Sequence, residues 1–407
     1  MNFKYNYQLK NHQRKLRCNK AYSNRKGVYC LNGYADDSEW SVINYFHIIE
    51  AKKEKNKKIY NNVIRELKIN KMNIYDYLNK RNLNKTFTQK EFDNIIDDLT
   101  DGIYNYGFEN IIKDYNKKLK PIKDWNNLKK KKIEKNYISA QSTIGLAIMK
   151  KHMTHSYKVK NYKGKSIYNL WNKENIKKSL IVNRKSHSTP YVSEIIRQIG
   201  FIAGTSKVTM YRPLLTKRIV QYFNAKNVLD CCTGWGGRML GSLCNEGVSY
   251  TGIEPSNKTF EKLMDIVMQL DLSKLYLHHG TAESILPKLK KKYDLAITSP
   301  PYYNLEIYTD EKTQSHHYGT YEDWKNKFLD VIIKGVLDKL IDGGKSCWSV
   351  KNFKTDKKYN LLDDVIEIHK KYGWKKLEIE FYVGNSVRPS KKKLKKGKEI
   401  TYVFVKN

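Results

Sequence analysis

The chain has 407 residues, more than one ordinary domain needs, and 40% of them are hydrophobic, enough to build packed cores and to exclude wholesale disorder. Lysine and arginine number 77 against 41 acids, a formal charge of +36, which points to a polyanionic partner that attracts cations and sheds counterions on binding. No run of 18 apolar residues exists, so no membrane span or membrane partner is expected. Met1-Asn2-Phe3-Lys4-Tyr5 opens a polar stretch rather than an apolar leader, which makes the expected location intracellular.

The charge is uneven: +24 falls on residues 1–200, only +3 on 201–350, and +9 on 351–407. Heavy use of Lys, Asn, Tyr and Ile throughout is also what AT-rich coding DNA produces, so charge carries only part of the case for nucleic acid. The six cysteines show no CxxC and no metal-ligand spacing, and no metal is expected. Adjacent Cys231 and Cys232 suit buried thiols at a strand end in a reducing compartment.

In chain order, Trp40–Phe46 and Ile59–Leu67 are short apolar clusters that read as helical, separated by Lys/Asn-rich stretches. Phe92, Ile95, Ile96 and Leu99 have helical spacing within residues 90–114. Lys117–Lys135 is a charge run that reads as a linker or a solvated helix, and Ile138–Met149 as a buried helix. Residues 1–195 thus read as a basic, mostly α-helical domain, suited to target recognition or nucleic-acid binding, and 196–407 as a second domain.

From about residue 205 strands alternate with helical periods, the signature of an α/β fold with a mainly parallel sheet. The expected strands are 227–231, 249–254, 275–278, 293–298 and 345–351, followed by a closing hairpin of 375–382 and 400–405, seven in all. Expected helices cover 255–270, 282–289, 321–341 (capped at Asp342-Gly343-Gly344) and 359–372.

Two turns carry the chemistry. Asp230-Cys231-Cys232-Thr233-Gly234-Trp235-Gly236-Gly237-Arg238 joins a strand to a helix, and its glycines let a ligand approach the backbone beside free helix N–H groups. A dinucleotide fingerprint would place a third glycine where Met239 stands. Glu254 ends the second strand, where a carboxylate can hold ribose hydroxyls. Thr298-Ser299-Pro300-Pro301-Tyr302 closes the fourth strand, and its prolines fix the backbone and remove two N–H donors. That leaves carbonyls and the Ser299 hydroxyl as acceptors, which suits activation of a planar amine whose lone pair is delocalised.

Together these turns resemble the S-adenosylmethionine-dependent DNA amino-methyltransferases, which act on cytosine N4 or adenine N6. The resemblance covers about residues 205–407 and implies a seven-stranded Rossmann-like class I methyltransferase sheet. It implies Ser299, Pro300, Pro301 and Tyr302 as catalytic residues, with Tyr302 stacking on an extruded base. It further implies an S-adenosylmethionine site from Tyr211, Asp230, Thr233, Gly234, Trp235, Gly236, Gly237, Glu254, Thr281, Ala282, Glu283 and Ser299.

Ser299 in first position fits the cytosine-N4 branch, while Thr281 stands where related enzymes often carry Asp. There is no room after the motifs for a separate recognition domain, so target reading is expected from residues 1–195, from 303–320 with His316 and His317, or from Lys391–Lys398. The alternatives are an RNA or protein-glutamine amino-methyltransferase, or an inactive fold that serves as a nucleic-acid-binding subunit.

Overall fold

A computed structural model describes residues 89–185, 192–202, 208–384 and 400–407. The clusters at Trp40–Phe46 and Ile59–Leu67, and the lysines of 391–398, lie outside the described residues. Among the described residues no helix is long and apolar enough to cross a membrane.

The chain divides into two compact units, Met1–Lys117 with Lys165–Lys207, and Lys118–Gly164 with Val208–Asn407. This division differs from the sequence boundary at 195/196, because residues 118–164 fold with the sheet. The described part of the first unit is helical: Gln89–Tyr106, Phe108–Lys117, Lys173–Lys185 and Val192–Ile202. Its buried residues include Leu99, Ile103, Ile176, Leu180 and Ile199, and Phe108 stands edge-on to Tyr168 and Trp171.

The second unit opens with the helix Pro121–Lys130, where proline suits the first turn and Trp125 and Leu128 are buried, so the charge run is a docked helix. Residues 138–149 form no single helix. Strand β1, Tyr137–Ser139, is followed by a turn and the helix Ala147–His152. Gly145 interrupts at φ +84°, and a Cβ there would meet Pro213 at 2.9 Å. After the two-residue β2, Lys160–Asn161, the α/β alternation begins with the helix Pro213–Tyr222.

The strands that follow are β3 Asn227–Asp230, β4 Ser249–Glu254, β5 Leu275–His279, β6 Tyr293–Thr298, β7 Glu306–Ile307 and β8 Leu340–Val350. After them come β9 Phe353–Lys354, β10 Lys358–Tyr359, β11 Trp374–Gly384 and β12 Ile400–Lys406. Eight of these form one sheet in the order β1-β11-β12-β8-β6-β3-β4-β5. Only β12 runs antiparallel to its neighbours. Without the added edge strand β1, that order and the lone reversed strand are those of the Rossmann-like class I methyltransferase fold. Alternate residues feed opposite faces: Val228, Leu295 and Ile297 enter one core, Leu229, Ala296 and Trp348 the other.

Two expected helices end early. Pro287 cuts the helix after β5, leaving α-helix at Ala282–Ile285 and a 3₁₀ turn at Leu286–Lys288. The helical run from Tyr321 stops at Leu337, and Asp342-Gly343-Gly344 lies inside β8 rather than capping a helix. Leu340 is buried and pairs with Tyr293, and the register then jumps to Leu295 opposite Lys345. Gly343, at φ +75°, takes the resulting bulge.

Candidate active site

The carboxyl ends of β3 and β6 lie side by side, since Val228 pairs with Leu295 and Leu229 with Ala296. Register therefore seats the glycine turn beside the Pro-Pro turn. The Cys231 thiol donates to Thr298 Oγ1 at 3.6 Å across the gap.

Asp230 is fully buried and faces inward. It pairs with Arg238 (Nε to Oδ2, 2.7 Å) and accepts from Tyr250 OH at 2.7 Å and from Cys232 N at 3.2 Å. Arg238 also donates to the Cys232 carbonyl and lies 5.0 Å from the Tyr211 ring. Burial opposes the Arg238 charge, but Asp230 and Tyr250 outweigh it and hold its pKa above the ordinary value. Burial, then Asp230, raises Tyr250. These contacts tie both ends of the glycine turn together, so Asp230 acts on the turn's shape.

Gly234 and Gly236 have φ of +56° and +84°, the left-handed region glycine favours. A Cβ on Gly234 would meet only the Cys232 carbonyl, at 3.9 Å, so open space lies over this glycine. At Gly237 a Cβ would come within 2.3 Å of the Tyr211 carbonyl, so the Tyr211 segment crosses directly over the helix start. The Tyr211 hydroxyl joins Ser349 and Thr401, each at 3.2 Å. Thr233 is buried, and its N–H donates to the Ile253 carbonyl at 2.9 Å.

Glu254 is buried and accepts from Gly234 N at 2.9 Å and Ser256 N at 3.0 Å. Burial pushes its pKa up to about 7 against the pull of those two N–H groups. Its own carbonyl accepts from Gly280 N, which brings Thr281, Ala282 and Glu283 alongside. Ala282 is buried, Thr281 precedes the short helix with Oγ1 at 3.1 Å from Ser284 Oγ, and Glu283 accepts from Tyr318 OH.

Of the Pro-Pro turn, Ser299 and Pro301 are half-buried and Pro300 is buried. The Tyr302 ring is only 7% exposed and lies 5.5 Å from Phe353. Tyr303 follows in the left-handed region at φ +45° and donates to the Gly319 carbonyl, closing the base of the 303–320 loop.

That loop spans the carboxyl edge. Tyr308 stacks obliquely on Trp235 at 5.7 Å, Glu311 accepts from Asn257 N at 3.2 Å, and Tyr318 reaches Glu283. β7 pairs with β2, and His155 stands edge-on to Trp235 at 5.1 Å. Burial, with Lys258 and Lys262, lowers His155 to about 4. His316 and His317 lie in a 3₁₀ turn with ring centroids 3.9 Å apart.

The structure therefore gathers Tyr211, the glycine turn, Glu254, Thr281–Glu283 and Ser299–Tyr302 along one sheet edge. Sequence reading missed Tyr250, His155, Tyr308 and the hairpin of β9 and β10, and it gave Arg238 no part. Arg238 directly follows the last glycine, in the first turn of the helix, a place that suits a partner for Asp230, whereas His155 and Tyr308 reach the site through long-range contacts that leave no local signal.

No family model matches the sequence, and no curated protein matches it. Solved structures similar to this chain include TrmN from Thermus thermophilus, at 15% identity over 48% of this chain and 49% of that one, with a TM-score of 0.33. NSun6 from Pyrococcus horikoshii, solved with SFG, matches at 16% identity over 50% and 53%, with a TM-score of 0.34. An S-adenosylmethionine-dependent methyltransferase from Clostridium acetobutylicum ATCC 824 matches at 14% identity over 51% and 95%, with a TM-score of 0.34. The alignment spans about half the length of the first two.

Proposed function

We propose that the chain transfers a methyl group from S-adenosylmethionine to an exocyclic amino group of a DNA base, cytosine N4 ahead of adenine N6. The observation that carries this reading is the register of β3 on β6, which sets the glycine turn beside Ser299-Pro300-Pro301-Tyr302. The glycine turn fits the cofactor: open space lies over Gly234, and Glu254 has acceptor capacity beyond its two N–H donors for ribose hydroxyls. Thr281, Ala282 and Glu283 would border the adenine, and Tyr211 and Trp235 the remainder of the cofactor. When bound, S-adenosylmethionine supplies a methyl group activated by its sulfonium.

The chain's own residues prepare the amine. Ser299 Oγ and the Pro300 carbonyl accept its N–H bonds, which favours the pyramidal form as charge develops. Tyr302, backed by Phe353, forms an aromatic wall for an extruded base. The +36 charge supports a nucleic-acid substrate, and Ser in first position favours cytosine.

Nucleoside mass spectrometry of DNA and RNA from cells that express the protein tests the assignment. N4-methylcytosine or N6-methyladenine in DNA is expected, and Ser299→Ala and Tyr302→Ala should each cut transfer by about 100-fold or more while the fold persists. Methyl groups found only in RNA or on a glutamine amide would replace the DNA assignment, and unimpaired transfer by both variants would remove the Pro-Pro turn from the chemistry.

A further inference from the structure

Directly after β8, the strand next to β6 in the sheet, the chain folds into a two-stranded hairpin of β9 and β10. Its register pairs Phe353 with Tyr359 and Lys354 with Lys358. The aromatic pair stacks at 4.9 Å and faces the site: Phe353 lies 5.5 Å from Tyr302, and Tyr359 lies 5.9 Å from Tyr303. The hairpin is thus seated on the Pro-Pro turn by its inner face.

Its outer face carries exposed Lys354 and Lys358 directly opposite one another, with exposed Lys357 in the connecting turn. Like charges across a strand pair are destabilising. The one acid of the turn, Asp356, accepts from Thr355 Oγ1 at 2.6 Å and Tyr359 OH at 3.5 Å. None of the three lysines forms an ion pair among the described residues. A surface that sets like charges opposite each other, beside the turn proposed to receive an extruded base, suits a polyanion at that place. A base turned out of a duplex towards that turn brings its flanking phosphates close by.

We propose that the Phe353–Tyr359 hairpin is a phosphate-contacting finger, whose Lys354, Lys357 and Lys358 hold the DNA backbone next to the target nucleotide. The proposal rests on the DNA-base reading above and names the part of the chain that positions the strand. Phosphate contacts fix register and orientation and do not read sequence, so the hairpin contributes affinity without specificity.

The test compares binding of a fluorescein-labelled mixed-sequence DNA duplex across a salt series. The triple variant Lys354→Gln, Lys357→Gln, Lys358→Gln should flatten the slope of log affinity against log salt by about 2 to 3, since each phosphate no longer neutralised removes roughly 0.9. Cofactor binding by calorimetry should not change. Its thermal midpoint should hold or rise, because opposed charges are removed.

A control removes the same charge from the opposite edge, with Lys226→Gln, Lys288→Gln and Lys290→Gln, exposed residues that precede β3 and β6. The control should keep the wild-type slope. An unchanged slope in the hairpin variant, or an equal change in the control, overturns the finger. Base methylation by the wild type is scored separately by nucleoside mass spectrometry. Its absence alongside hairpin-dependent binding would remove the methylation reading and leave the finger standing.

Discussion

At the scale of single residues, two buried carboxylates that contact the glycine turn do different work. Asp230 spends its oxygens on Arg238, Tyr250 and Cys232 N, whereas Glu254 accepts two backbone N–H groups and retains lone pairs. Breaking a buried pair strands the partner charge, so Asp230→Asn should cost about 3–5 kcal/mol in chemical unfolding. Glu254 makes a pH prediction. Burial pushes its carboxyl up to about 7 in the free protein, and in the proposed role ribose hydroxyls would donate to the ionised form. Cofactor affinity should therefore be full above pH 7 and fall as pH drops through it, as calorimetry across pH 5.5–8.5 can follow. Glu254→Gln should bind more weakly and lose that dependence, and an equally steep profile in the variant would assign the titration elsewhere. Stability of the free protein has the opposite sign. A raised acid pKa makes the folded state bind more protons than the unfolded state between the usual carboxyl range and 7, so stability falls as pH rises through that window. Glu254 was legible in sequence because a strand end fixes where its side chain goes; the burial that sets its pKa was not.

Among elements, the strands at 249–254 and 293–298 emerged with the bounds their apolar runs announced. Such strands, buried on both faces, write their limits into local composition. The unread strands share a cause: β2, β7, β9 and β10 are two residues each, and no period can show in two residues. Yet the β2–β7 pairing, with Tyr308 on Trp235, Glu311 on Asn257 and Tyr318 on Glu283, holds the 303–320 loop across the candidate cofactor residues. Removing one pin should loosen that loop and leave the sheet untouched. Tyr318→Phe is expected to speed hydrogen exchange in 305–320 and raise the cofactor off-rate several-fold. Unchanged exchange there would show that the Glu283 contact does not restrain the loop.

For the whole molecule, composition placed a helical, basic half before an α/β half, but chain contacts draw the line elsewhere. Residues 118–164 supply an edge strand, the helices that bury Trp125, Leu128 and Met149, and the His155 contact to Trp235. A change of secondary-structure pattern near residue 205 marks where the alternation starts, and it carries no information about which earlier helices complete the core. The consequence is measurable. Leu128 is fully buried in the same cluster as Val228 and Leu214, so Leu128→Ala should leave a cavity and destabilise the sheet unit by about 2–5 kcal/mol. The unfolding transition followed by intrinsic tryptophan fluorescence should shift with it. A chain that begins at residue 196 should fare worse, because it loses Leu128, Met149 and Met153 together and bares the outer edge of β11. If that truncation unfolds as cooperatively and at the same temperature as the full chain, residues 118–164 are dispensable to the sheet, and the boundary belongs back at 195/196.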